Sequence, residues 1–146
     1  GDCSVVRLPD SNPVQPLYDL SEVLNNDIAM LLAKVKLYPF GAEGNDSGPL
    51  VFDARDEKTE NEYPIRVYDY DYCGDLDGLS EIIFSSFTKL IECLTHYLKE
   101  TKTRHDFEVI PEFFQIDPSG AGISGVDYWL HIAALRKHVY ETFIVY

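Results

Sequence analysis

The sequence predicts an α+β fold: a central antiparallel sheet flanked by helices, in a single domain. Three observations predict it. Two short apolar runs, Pro49–Ala54 and Tyr63–Tyr70, are joined by turn-rich loops, the pattern of an antiparallel meander. One stretch, Phe87–Glu100, carries Phe87, Leu90, Ile91, Leu94, Tyr97 and Leu98 at helical spacing. The chain has 146 residues, which suits one hydrophobic core.

The elements follow in order. Gly1–Pro16 is polar, with a short strand expected at Ser4–Leu8. Tyr18–Asn26 reads as a short helix with Leu17, Leu20, Val23 and Leu24 on one face, and Asp27–Ala33 as a further helical turn or two. Val35–Phe40 is β-like, and the glycine-rich Gly41–Gly48 is a turn. In the strand Tyr63–Tyr70, Ile65 and Val67 point to one side and Arg66 and Tyr68 to the other. Ser85 or Ser86 begins the amphipathic helix, where a serine oxygen can accept from free amides. Lys89, Glu92, Thr95, His96 and Lys99 take its wet side. Phe107–Phe114 is a strand or a buried extension. A last helix follows Gly125, and Tyr140–Tyr146 continues it or forms a strand.

Charge narrows the function. Twelve basic residues face twenty-five acidic ones, a formal net charge of −13. Such a field repels nucleic acid and anionic membrane and attracts basic partners. No apolar run approaches the ~20 residues a spanning helix needs. The three cysteines, Cys3, Cys73 and Cys93, form no Cys-x-x-Cys pair, so neither a structural zinc site nor a redox dithiol is expected. Cys93 reads as a small buried hydrophobe. Reduced thiols and no leader place the chain in the cytoplasm.

The stretch DYDYCGDLDGLSE, Asp69–Glu81, comes near a calcium loop. Counted from Asp69, positions 1 and 3 are acidic and Gly74 falls at position 6. Position 5 is Cys73, a soft ligand, and position 12 is Ser80. A turn is the second reading, with Gly74 and Gly78 permitting positive φ and Asp71, Asp75 and Asp77 bonding local amides. A partner rim is the third. In an extended chain Tyr68, Tyr70 and Tyr72 alternate with Asp69 and Asp71, putting tyrosines on one side and carboxylates on the other. The partner-binding residues expected are Asp69, Tyr70, Asp71, Tyr72, Asp75, Asp77 and Glu81, since tyrosines and carboxylates suit a basic partner.

Other motifs carry no chemistry. Gly120-Ala-Gly-Ile-Ser-Gly125 is formally G-x-G-x-x-G, but too little chain follows it for a dinucleotide fold, so it is a loop into the last element. His96, His105, His131 and His138 form no metal-spaced pair, and no Gly-x-Ser-x-Gly elbow is present. Glu92 and His96 lie one turn apart on a solvated helix face. No catalytic residue, metal set or cofactor is expected.

One resemblance rests on the order of four pieces: Leu37–Gly41 (LYPFG), Leu50–Arg55 (LVFDAR), Tyr63–Asp69 (YPIRVYD) and Ile83–Phe87 (IFSSF) opening a helix. Over residues 37–100 this order resembles the SUKH superfamily, which includes fungal regulators of cell-wall glucan synthesis and bacterial immunity proteins. The family's amino-terminal Leu-Pro is matched by Leu8-Pro9, but the helical run and Asn-Gly that follow in the family are missing, implying a SUKH-like domain without those helices. The resemblance implies an α+β binding protein, not an enzyme. It would be an immunity protein that occludes a toxin, many such toxins being basic nucleases. A regulatory scaffold is the alternative within the fold, and an acidic, metal-dependent enzyme the alternative outside it.

Overall fold

The computed structural model describes residues 27–42, 48–56 and 62–144. The expected strand at Ser4–Leu8 and helix at Tyr18–Asn26 lie outside them. The fold is α+β, and within it the chain forms two compact units, Gly1–Ser80 and Glu81–Tyr146.

In the first unit, helix α1 (Asp27–Lys34) precedes three strands: β1 (Leu37–Ala42), β2 (Pro49–Asp53) and β3 (Ile65–Val67). The strands form an antiparallel sheet in the order β1-β2-β3. Both prolines sit where no ladder bond is lost: Pro39 is in the edge strand β1, and Pro49 opens β2. The register slips between Pro39 and Gly41, a bulge at Phe40. Residues opposite one another share a face. Leu37 faces Asp53 and Pro39 faces Val51, so one face carries Leu37, Pro39, Val51 and Asp53. On that face Ile28 and Leu32 of α1 meet Leu37, Val51 and Tyr68 in a core that Tyr70 and Leu79 pack against. Ile65 and Val67 are buried on the other face, as the alternation predicts.

Strand β3 is shorter than predicted. It ends at Val67, and Tyr70–Tyr72 and Leu76–Gly78 are 3-10 turns. The reason is Asp69, whose carboxylate accepts from the amide of Asp71 at 2.9 Å and so bends the chain out of the extended form. The predicted alternation of tyrosines and aspartates therefore does not form. Tyr68 is wholly buried, Tyr70 is half-buried and Tyr72 is 48% exposed.

In the second unit, helix α2 spans Phe87–Glu100 as predicted. Its cap is Ser86, whose hydroxyl oxygen accepts from the amide of Lys89 at 3.1 Å. The buried face is narrower than the predicted one. Within α2 Leu90 and Cys93 are buried, while Phe87, Ile91, Leu94 and Leu98 are exposed. The side chains that could bury this helix decide its rotation: Tyr97 turns to Phe113, ring to ring at 6.3 Å. The Phe107–Phe114 stretch is a buried extension and not a strand. It folds as α3 (Asp106–Val109), a 3-10 turn (Ile110–Glu112) and α4 (Phe113–Ile116), with Val109, Ile110 and Phe113 inward. Pro111 lacks the amide a strand ladder would need.

Helix α5 (Val126–Ile144) takes in most of Tyr140–Tyr146. Trp129 anchors it, 5.1 Å from the rings of both Phe84 and Phe113, with its indole N–H donating to the carbonyl of Ile83 at 2.9 Å. The Gly120–Gly125 motif is the loop entering this helix. It curls over a fully buried carboxylate, Asp117, which accepts from the amide of Ser85 at 2.8 Å, the hydroxyl of Ser85 at 2.5 Å and the amide of Ala121 at 3.3 Å. A Cβ on Gly120 would lie 2.2 Å from the Ser85 nitrogen, so the glycine serves close backbone approach, not a phosphate.

Candidate functional site: the acidic loop

Asp69–Gly78 leaves the sheet and returns to it as a closed loop. Tyr68 and Leu79 form an isolated antiparallel bridge at its neck. The Asp69 amide donates to the carbonyl of Gly78 at 2.8 Å, and the Ser80 amide to the carbonyl of Val67 at 2.9 Å. Arg66 braces the exit. Its Nη1 donates to the carbonyl of Ser80 at 2.9 Å and its Nε to Oδ2 of Asp53 at 2.8 Å.

Tyr68 fills the loop from within. Its hydroxyl donates to the carbonyl of Asp75 at 2.9 Å and accepts from the amide of Gly74 at 2.5 Å. Burial, together with the carboxylates of Asp75 and Asp69, pushes this phenol above its ordinary range; burial alone does the same for Tyr70. The Tyr68 hydroxyl is therefore a neutral donor at pH 7.

The acidic residues divide into two roles by their spacing. Asp69 caps the first 3-10 turn by accepting from the Asp71 amide. Asp75 caps the second in the same way, accepting from the Asp77 amide at 3.0 Å. Each is the first member of an Asp-x-Asp pair, and its carboxylate shapes the backbone. Asp71 and Asp77, the second members, are exposed, as is Asp75. Asp69 is half-buried. None of the four takes part in an ion pair among the described residues. Tyr72 and Leu76, both nearly half exposed, supply apolar surface on the same loop. Glu81, exposed, opens the second unit. Tyr70, a predicted anchor, packs against the core and meets Tyr68 edge to face at 6.5 Å.

The calcium-loop geometry is not formed. The Asp69 carboxylate turns to its own backbone, and among the described residues no group of three or more His, Cys, Asp or Glu is placed to hold a metal ion. Cys73, at the would-be fifth ligand position, is disulfide-bonded, which corrects the expectation of reduced thiols; Cys93 is free and buried.

Three polar clusters were not foreseen. Asp53, buried, takes a two-pronged bond from Arg55 (Nε to Oδ1 and Nη2 to Oδ2, each 2.8 Å) besides the one from Arg66. Burial alone would raise its pKa, but the Arg55 and Arg66 bonds outweigh it and lower the carboxyl to about 2. The sequence signal was present as Asp53-Ala-Arg55, an acid and a base two apart at a strand end. Nothing in the sequence around Asp117 marks it as a buried carboxylate. His96 pairs with Glu112 at 3.0 Å, not with Glu92, which takes Lys89 at 2.9 Å. Arg104 also binds Glu112, and that bond first of all holds the Glu112 carboxyl below its usual range.

Among the described residues no helix is long and apolar enough to cross a membrane. Comparison with known proteins returned nothing: no family model, no curated protein and no solved structure matches this chain.

Proposed function

We propose that the chain is a non-enzymatic protein-binding module that captures a basic protein, as an immunity protein captures a toxin, and occludes its working surface. One observation carries this reading: Asp71, Asp75 and Asp77 stand exposed, with no ion pair among the described residues, beside Tyr72, on a loop held in shape by Tyr68. A preformed acidic surface loses little conformational entropy on binding. The net charge of −13 adds a long-range pull on a cation. The resemblance to the SUKH superfamily over residues 37–100 agrees with a binding role and supplies the toxin as the kind of partner.

The test is reversal of two outward charges, Asp71→Lys with Asp77→Lys. Co-purification from the native host first identifies the partner by mass. Its association rate is then measured from low to high salt. The pair of substitutions is expected to slow association at least tenfold at low salt and to flatten the salt dependence. An unchanged rate and slope would place the binding surface elsewhere.

A further inference from the structure

The second unit leaves two lines of apolar side chains in water. On α2 these are Ile91, Leu94 and Leu98, each between 43% and 57% exposed, with Phe87 continuing the line one turn earlier. Their alternating three- and four-residue spacing is that of a helix-pairing seam. On α5 the final stretch, residues 134–143, is exposed at every position. One line of this arm is tethered: Tyr140 packs its ring on His105 at 4.2 Å, and Arg136 reaches Asp106 at 3.9 Å. The neighbouring line, Leu135, Val139 and Phe143, faces water, and Phe143 is 76% exposed. We propose that a second copy of this chain covers both lines, the α5 arm of each copy lying on the α2 seam of the other about a two-fold axis.

Area selects this pairing. A half-exposed side chain of this size offers roughly 100 Å², and a line of three roughly 300 Å². Joining seam to seam alone, or arm to arm alone, would bury roughly 600 Å² in all, short of the ~1,000 Å² that a specific interface needs. Either would also leave the other line bare. Reciprocal docking uses all four lines and buries roughly 1,200 Å² of apolar surface before the polar rims are counted, the lower edge of the stable class. It also gives the self-complementary contact that a two-fold axis requires.

Charge points to the same occupant. Beside the seam, the exposed Glu92 and Lys99 cancel. The arm carries Arg136 and Lys137 against Glu141, a basic stretch in a chain whose net charge is −13. A basic foreign protein is repelled by the arm, and a strongly acidic one by the chain as a whole. Another copy is acidic overall and yet presents an apolar seam of balanced charge, so it suits both. None of this depends on what the acidic loop binds.

Sedimentation equilibrium of the full chain from about 1 to about 100 µM is expected to show a reversible dimer of the 16.6 kDa chain, with Kd in the micromolar range. Leu94→Lys with Leu98→Lys alters the seam, and Val139→Lys with Phe143→Lys alters the arm. Each pair is expected to raise Kd at least about a hundredfold, since two apolar side chains leave the interface. All four residues are exposed within one copy, so far-ultraviolet circular dichroism should stay that of wild type. Should either pair fail to fold, Leu98→Lys or Phe143→Lys alone takes its place. Mixing the two variants decides the pairing. A mixed dimer holds one intact arm-on-seam joint, so association is expected to return on mixing although neither variant associates alone. Wild type that stays monomeric throughout would overturn the proposal, whether or not the seam then captures another protein. So would a dimer that survives either pair of substitutions, or variants that remain monomeric when mixed.

Discussion

The hydroxyl of Tyr68 reaches seven residues along the chain to donate to the carbonyl of Asp75, 2.9 Å away. It both completes the sheet's core and holds the acidic loop open around itself. Tyr68→Phe keeps the ring and removes the two loop bonds. We expect a loss of about 1–2 kcal/mol in unfolding free energy, since the Gly74 amide and Asp75 carbonyl lose a buried partner. Amide exchange at Gly74 should quicken by more than the global loss of stability explains.

Stability should fall in acid through Asp53. Its carboxyl moves from the ordinary 3.8 to about 2 on folding. A lowered folded-state pKa contributes stability that is complete above the unfolded value and disappears as pH falls through the folded one. The window is therefore pH 4 to pH 2. A shift of this size corresponds to roughly 2 kcal/mol, reduced to about 1–2 because Arg55 is partly in solvent. The urea stability of wild type relative to Asp53→Asn should narrow by that amount between pH 5 and pH 2, a comparison in which the general acid sensitivity of an acidic protein cancels.

Two glycines, Gly48 just before β2 and Gly41 in β1, should respond unequally to alanine. Gly48 has φ +117°, and a Cβ there would stand 1.8 Å from the carbonyl oxygen of Tyr68. Gly48→Ala must push β2 away from the loop neck and should cost more than about 3 kcal/mol. At Gly41 a Cβ meets Leu50 at an ordinary 3.9 Å. Gly41→Ala should change stability by less than about 1 kcal/mol in either direction. Denaturant midpoints of the two variants check the contrast.

Asp117 should be a strong determinant of the second unit. Asp117→Asn places an amide group where three donors converge, from Ser85 and Ala121. A loss of about 1–3 kcal/mol is expected. Near-ultraviolet circular dichroism of Trp129, whose indole bonds the neighbouring Ile83 carbonyl, should change with it.

Much of the fold was legible in the residues. The helix Phe87–Glu100 and its serine start follow from spacing and capping, and the strand at Pro49 from its apolar run between turn-rich loops. What periodicity could not supply was rotation and ending. An apolar arc on α2 as wide as Phe87 to Leu98 fits more than one orientation, and Phe113 and Tyr97 chose among them. Likewise the run Tyr68-Asp-Tyr-Asp-Tyr72 alternates well enough to extend β3, yet the side chain of Asp69 competes for its own backbone and ends the strand. Of the acidic surface, the identities of the aspartates were readable; their division into shaping and outward-facing members was not, because Asp-x-Asp spacing has that meaning only once the chain turns. Asp117 could not be found from sequence, since its donors include Ser85, distant along the chain.

The two Asp-x-Asp turns have a practical consequence. The loop is shaped by short hydrogen bonds at its neck, at Tyr68 and at Asp69 and Asp75, none of which ionic strength weakens much. The outward reach of Asp71 and Asp77 is instead a field that dissolved ions shorten to about 10 Å at 0.1 M. Added sodium chloride can thus silence the loop's attraction while leaving its form in place, so one titration separates what the loop is from what it pulls.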